Sequence, residues 1–238
     1  MIEYLRIALA SVTLLYTSYL DLKTREVDDH IWVIASVIGA VANLYAFLTL
    51  TPSTLYIYGL AVGSTAGVAF ALYWLGLYGG ADAKALTCLA IIHPTVEYGI
   101  QLHRITGLTT FTNGMFLSSS LPLTLGFYNI YRIVRGENIF AGFESEPTHR
   151  KLLACFIGTR VVKSSGRRFW SPVERREGGV RKFVFNVSVD EMSEAIADDM
   201  WITPGIPLLV FFTLGYFLSL SVGDLMGMLY NILSWRAG

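Results

Sequence analysis

The chain has 238 residues, of which 53% are hydrophobic and 15% charged, and its mean hydropathy is +0.51. A soluble domain carries about a quarter charged residues, so this composition argues against an ordinary soluble domain and for a polytopic α-helical membrane protein. The formal net charge of +0 offers no basic surface to nucleic acid, and more than half of all Lys, Arg, Asp and Glu lie between Gly136 and Met200.

A helix needs about 20 mostly apolar residues to cross the hydrocarbon core, and the sequence predicts six such spans. The first runs from Ile2 to Leu20; a weak basic flank (Glu3, Arg6) and no small-residue cleavage site mark it as a retained span. The second runs from Ile31 to Leu50 and stops at Thr51-Pro52-Ser53-Thr54. The third runs from Leu55 to Tyr78. The fourth is short, from Ala83 to Val96, with His93-Pro94 inside it. The fifth runs from Met115 to Val134 and the sixth from Pro204 to Trp235. Lys23, Arg25, Lys84, Arg132 and Arg135 fall on one side of this scheme. The positive-inside bias makes that side cytoplasmic and puts the N-terminus outside.

Between the last two spans lies a polar insert, which divides the chain into a membrane bundle (1–135), a cytoplasmic domain (136–200) and the sixth helix (201–238). Leu153–Lys163, Arg168–Glu174 and Val180–Val187 are expected as antiparallel strands, with hairpin turns at Ser164-Ser165-Gly166 and Gly178-Gly179. Asp190 is expected to cap a short helix, Glu191–Met200. The fold class is therefore six transmembrane helices with a small cytoplasmic antiparallel α+β insert before the last. Gly59, Gly63 and Gly67, and again Gly223 and Gly227, have the four-residue spacing that lets helices approach closely.

Carboxylates beside a bilayer are costly, so their positions carry information. Four candidates stand out: Asp21, Asp82, Glu97 and Asp224. Glu97 and Asp224 fit the wet outer edge. Asp21 and Asp82 end different apolar runs yet fall at one depth on the cytoplasmic side. Two carboxylates held close cannot both ionise easily. One keeps a proton and can hydrogen-bond a carbonyl while the other takes a proton from water, which is amide hydrolysis without a covalent intermediate. The plain alternatives are a helix-end residue for Asp21 and an ordinary N-terminal cap for Asp82. No other catalytic set competes. His30, His93, His103 and His149 lack metal-ligand spacing, there is no G-x-S-x-G elbow, and neither a P-loop nor G-x-G-x-x-G is present. Cys88 and Cys155 are far apart and read as small buried hydrophobes. No cofactor or metal is expected.

Gly79-Gly80-Ala81-Asp82-Ala83-Lys84 resembles the G-x-G-D-x-K signature of the GxGD aspartyl proteases. Asp21-Leu22-Lys23-Thr24-Arg25-Glu26-Val27 resembles the stretch that carries their first aspartate. The third motif position is Ala81 in place of glycine, and Asp28-Asp29 stands where many relatives have Pro-Asp. The resemblance is nearest to the archaeal preflagellin peptidases and type IV prepilin peptidases. It implies a multi-pass plasma-membrane aspartic endopeptidase with Asp21 and Asp82 catalytic, supported by Gly79, Gly80, Ala81 and Lys84. It implies no methyltransferase activity. Its partners would be membrane-anchored precursors with a short basic leader and an apolar helix, held in the lipid bilayer and cut on the cytoplasmic side. Glu26, Asp28 and Asp29 are candidates to attract the leader. Pro204, Gly205 and Pro207 faintly resemble the Pro-rich motif near the presenilin site; they are read first as a helix start and second as candidate substrate contacts. The sequence leaves the oligomeric state open. A carboxylate-relay transporter and a non-enzymatic membrane subunit of a filament or secretion machine are the competing readings; the transporter would be expected to show inverted repeats and broken midplane helices.

Overall fold

The computed structural model describes residues 2–49, 52–162, 169–177, 180–185 and 198–235. They form nine helices and five strands: α1 (Ile2–Thr24), α2 (Asp29–Thr49), α3 (Pro52–Trp74), α4 (Gly80–Ile92), α5 (Thr106–Ser118), α6 (Ser120–Val134), α7 (Thr148–Ile157), β1 (Thr159–Val161), β2 (Trp170–Pro172), β3 (Glu174–Glu177), β4 (Val180–Phe183), β5 (Met200–Pro204), α8 (Leu208–Ser221) and α9 (Leu225–Trp235). The chain divides into two units, with boundaries after Ser118 and after Ile206. The first holds α1–α5, α8 and α9, and the second holds α6, α7 and the strands. The boundary expected after Arg135 falls seventeen residues earlier in this division, and α6 groups with the insert. Among the described residues one helix segment, Thr54–Trp74, is both long and apolar enough to cross a membrane; α2, α8 and α9 contain shorter apolar stretches.

The first unit is built around α4, a helix of 13 residues, or about 20 Å. Ala83, Leu86, Leu89 and Ile92 pack with Leu14 of α1, Trp32 of α2, Ala69 of α3, and Leu209, Phe212 and Tyr216 of α8. The expected fourth span is shorter than its sequence reading. Pro94 disfavours helical geometry at His93, which adopts φ −131°, ψ 81°. The last α4 carbonyls are met by Asn43, whose Nδ2 donates to Ile91 O (2.8 Å) and Ile92 O (3.2 Å).

The expected fifth span is replaced by two helices. α5 begins at Thr106, and Pro122 then withholds the amide that would bond Ser118 O, so the helix breaks at Ser119. The sixth span is also two helices. Gly223 at φ +108° interrupts it, Asp224 N donates to Ile100 O (2.7 Å), and Asn113 Nδ2 donates to Gly223 O (2.9 Å). The helical start moves too, because Pro204 closes β5 and α8 opens only at Leu208.

Of the glycines with four-residue spacing, Gly223 meets the Ile100 backbone closely, whereas the three in α3 make no close approach. A Cβ on Gly59, Gly63 or Gly67 would meet nothing within 4 Å, whereas one on Gly215 would lie 2.7 Å from both Gly114 N and Thr110 O. α5 and α8 therefore touch backbone to backbone. Buried Thr106, Thr109, Thr110 and Asn113 lie along α5, and this run of polar residues is what hid the helix from a hydropathy reading.

In the second unit β5 is the centre of an antiparallel sheet, β1-β5-β2, with Arg160 opposite Trp201 and Ser171 opposite Thr203. β3 and β4 form a separate antiparallel pair with Arg175 opposite Lys182. Trp201, Phe143, Phe183 and Ile139 fill the core. The strand expected over Leu153–Lys163 is helix, α7, as far as Ile157, and among its described residues only Thr159–Val161 is strand. Extended Gly158 ends the helix, and a Cβ there would collide with Ile202 O. The strand expected over Arg168–Glu174 divides at Val173 into β2 and β3, and the strand expected over Val180–Val187 is β4, ending at Phe183. β1 and β2 both pair with β5 and not with each other, which removes the first expected hairpin. Both expected turns, Asp190 and most of Glu191–Met200 lie outside the described residues; Met200 itself opens β5.

Candidate active site

Three helices of the first unit converge on the two aspartates. The apolar run of α1 ends at Leu20, and Asp21 lies in the helix's last turn. Leu14, Thr17, Ser18 and Asp21 share one helical face by their three- and four-residue spacing. That face is docked on α8 by side-chain hydroxyls. Ser18 Oγ donates to Leu209 O (3.0 Å) and lies 2.6 Å from Thr213 Oγ1, which is itself 3.2 Å from Leu14 O. Asp21 follows Ser18 by three residues and so meets the start of α8. Pro207 is the N-terminal cap of that helix, and first-turn amides have no acceptor within a helix. The Leu209 N–H there favours the ionised form of the Asp21 carboxyl.

Asp82 is the third residue of α4. Its Oδ2 accepts from the Gly79 N–H (3.1 Å), so the carboxyl caps its own helix. The loop before it is fixed by Tyr78, whose OH donates to Ala69 O (2.8 Å) and whose ring contacts Phe111 and Phe212. At their opposite ends the same three helices are tied by His93. Its Nδ1 is 3.0 Å from Tyr216 OH of α8, and its Nε2 is 2.9 Å from Glu3 Oε1 of α1.

The electrostatics separate the two carboxyls. Burial pushes Asp82 up to about 7, and the nearby Asp21 charge adds to this, against the Gly79 N–H and Arg25. Burial also raises Asp21, but the Arg25 guanidinium, 3.8 Å away, and the Leu209 N–H pull it back. Asp82, in the field of Asp21, is the carboxyl that holds its proton more firmly toward neutral pH.

The supporting residues fall in several places. Gly79 has ordinary extended geometry (φ −76°, ψ 160°), and none of Gly79, Gly80 and Ala81 has positive φ. The alanine at the third motif position is therefore accommodated without strain. Lys84 Nζ reaches Asp29 Oδ1 (2.6 Å), linking the motif to the loop after Asp21, while Glu26 and Asp28 are exposed beside it. Pro207 stands in the first unit at the head of α8. Pro204 and Gly205 belong to the second, Pro204 opposite Trp170 and Gly205 N donating to Phe169 O (2.9 Å). Glu97 is exposed, as its outer-edge reading requires. Asp224 is not a wet-edge residue: it is fully buried and its Oδ1 caps α9 through the Met226 N–H (3.0 Å). Both cysteines are free and buried, and no group of three potential metal-ligating side chains occurs among the described residues. Ser18, Thr213 and the Leu209 amide were not anticipated. Ser18 could have been found from its three-residue spacing to Asp21, whereas a backbone amide leaves no mark in the sequence.

A mostly helical protein with a membrane-length helix and a buried carboxyl raised by a second one is consistent with a membrane-associated protease of aspartic type. The profile of the type IV leader peptidase family matches residues 8–127, a span that includes both aspartates, and the chain belongs to that family. It is similar to a preflagellin peptidase of Methanococcus maripaludis (25% identity, covering 94% of this chain and 96% of that one). It is also similar to preflagellin peptidases of Methanocaldococcus jannaschii (26%; 90% and 92%) and Methanococcus voltae (25%; 91% and 94%).

Proposed function

We propose that this leader peptidase acts on preflagellin-like precursors and cuts them with Asp21 and Asp82 as a water-activating pair. The buried Asp82 carboxyl at the head of α4, raised by its burial and by the charge of Asp21, carries the reading. Ionised Asp21, backed by Arg25 and the Leu209 N–H, takes a proton from water. Protonated Asp82 hydrogen-bonds the scissile carbonyl and stabilises the charge that develops on it. The tetrahedral intermediate collapses as the leaving amine is protonated, and no bond to the enzyme forms. The chain crosses the membrane several times, with the pair and the insert on the cytoplasmic side, as the positions of Lys23, Arg25, Lys84, Arg132 and Arg135 suggest.

Asp21→Asn and Asp82→Asn are each expected to lower cleavage of a purified precursor by at least about a thousandfold while the protein stays folded by circular dichroism. Wild-type turnover in either variant would overturn the assignment. Glu26, Asp28 and Asp29 attract the basic leader by charge, but the Lys84 pair already neutralises Asp29, leaving Glu26 and Asp28 as the stronger contributors. The double change Glu26→Gln/Asp28→Asn is expected to raise KM for a doubly basic leader several-fold and to leave a neutralised leader unchanged. Equal effects on both leaders would remove this role.

A further inference from the structure

The second unit carries an apolar edge that its polar composition does not announce. In α6, Gly126 and Asn129 are buried, while Leu123, Phe127, Ile130 and Val134 are exposed. The helix ends in two cation–π pairs, Arg132 over Tyr128 and Arg135 over Tyr131. Tyr128, Tyr131 and Arg135, exposed at the end of an apolar helix, mark the depth at which it leaves hydrocarbon for headgroups.

α7 passes below that mark. Arg132 Nη1 donates to Arg160 O (2.8 Å). Asn129 Nδ2 donates to Cys155 O (2.8 Å) and Gly158 O (2.7 Å). The Phe156 ring fills the space that a side chain at Gly126 would need. Six residues separate Gly126 from Arg132, so the C-terminal end of α7 lies about 9 Å along α6 from the arginine, toward the apolar end. The sequence of α7 follows the same gradient: His149 and Lys151 come first, then Leu152 (58% exposed), Leu153 (47% exposed), Phe156 and Ile157. Beside its C-terminal end is a cleft of about 270 Å³ whose lining is almost wholly apolar, including Leu121, Leu125, Phe156, Pro204 and Ile206.

We propose that α7 and this cleft form a lipid-binding edge occupied by anionic phospholipids of the cytoplasmic leaflet. Acyl chains cover Leu152 and Leu153 and enter the cleft, and the headgroups meet Lys151, His149 and Arg135. Continuity with the exposed apolar side of α6, together with the basic start of α7, selects lipid over a polar protein partner. The insert is then a monotopic element seated in the bilayer surface. The inference rests on the reading that α6 is membrane-embedded with its C-terminal end cytoplasmic.

The test uses the full chain with Cys88→Ala and Cys155→Ala, reconstituted in vesicles of phosphatidylcholine with or without phosphatidylglycerol. A spin label is attached at position 127, 152, 153 or 176 after substitution to cysteine, and collision with oxygen is compared with collision with a neutral water-soluble nickel chelate. Positions 152 and 153 are expected to favour oxygen several-fold more than exposed Arg176, at a shallower depth than 127. Phosphatidylglycerol deepens them, and Lys151→Gln/His149→Gln abolishes that deepening. Nickel access at 152 and 153 equal to that at 176, with 127 in lipid, would overturn the lipid edge alone. Nickel access at 127 as well would overturn the reading of α6. Shielding of 152 and 153 from both reagents would assign the face to protein, and a depth independent of phosphatidylglycerol would remove the anionic preference.

Discussion

At the scale of single residues, the proposed mechanism depends on an imbalance between two chemically identical side chains. Asp82 must hold its proton to donate, and that ability is lost as pH rises through about 7. Asp21 must be ionised, and that is lost as pH falls through its own value, which burial keeps above the usual carboxylate range. The rate should therefore follow a bell against pH, whose limbs belong to the pair. Arg25 lowers both carboxyls, from a left-handed backbone position (φ 61°) at the end of α1. Removing its charge raises both. Arg25→Gln is thus expected to move the whole bell to higher pH, measured as initial rate of precursor cleavage across pH 4–9. A bell that stays in place or moves down would show that Arg25 does not act through these carboxyls.

At the scale of elements, the contact between α1 and α8 sets what Asp21 can touch. Ser18 and Thr213 fix the register that brings the Leu209 N–H to the carboxyl. Ser18→Ala leaves Thr213 bonded to Leu209 O and Leu14 O, so the stability loss should be small, about 1 kcal/mol. The loss of rate should be larger, about tenfold, with the acid limb moved to higher pH because the Leu209 N–H no longer favours the ionised form. Thermal melting and a pH–rate profile on the same preparation separate the two effects, and a rate loss without movement of the limb would count against register control. The aspartates were legible in sequence because a carboxylate ending an apolar run is unusual whatever surrounds it. The helices between them were less so. Hydropathy passes over α5, whose buried threonines and Asn113 face α8, and it runs through Gly223 and Ser119, where one positive φ and one missing proline amide break the helix. Leu152–Ile157 fits strand or helix by pattern, and its packing on Asn129 decides for helix.

At the scale of the whole molecule, the two units are stabilised by different physics. The first is an apolar bundle with sparse polar groups. The second depends on an ion network within its interior: Arg181 forks onto Glu174 (2.8 and 3.0 Å) and reaches Asp199 (3.1 Å), which Arg160 grips at 2.6 Å. Arg160 and Arg181 hold Asp199 down at about 2, so its contribution is present above its usual value near 4 and is lost as pH falls through about 2. Arg181→Met leaves the Glu174 carboxylate buried without its partner and is expected to destabilise this unit by about 3–5 kcal/mol. Limited proteolysis should then cut within 119–206 far faster than in the wild type while the bundle stays resistant. Cleavage at the wild-type rate would contradict the network's role.

The backbone contact between α5 and α8 has a consequence for heredity. Most positions along that interface can drift, because a neighbouring side chain can turn aside. Gly114 and Gly215 cannot, since a Cβ on Gly215 meets the main chain of the opposing helix, which has no rotamer to change, and one on Gly114 meets the fully buried Phe212 ring (2.6 Å) with Phe211 O beside it (3.1 Å). A single missense change at either glycine would push α8 away from its neighbours and carry the Leu209 amide off Asp21, silencing the enzyme from a site that neither holds charge nor touches substrate. Among inactive alleles of this gene, the two glycines should stand beside the two aspartates.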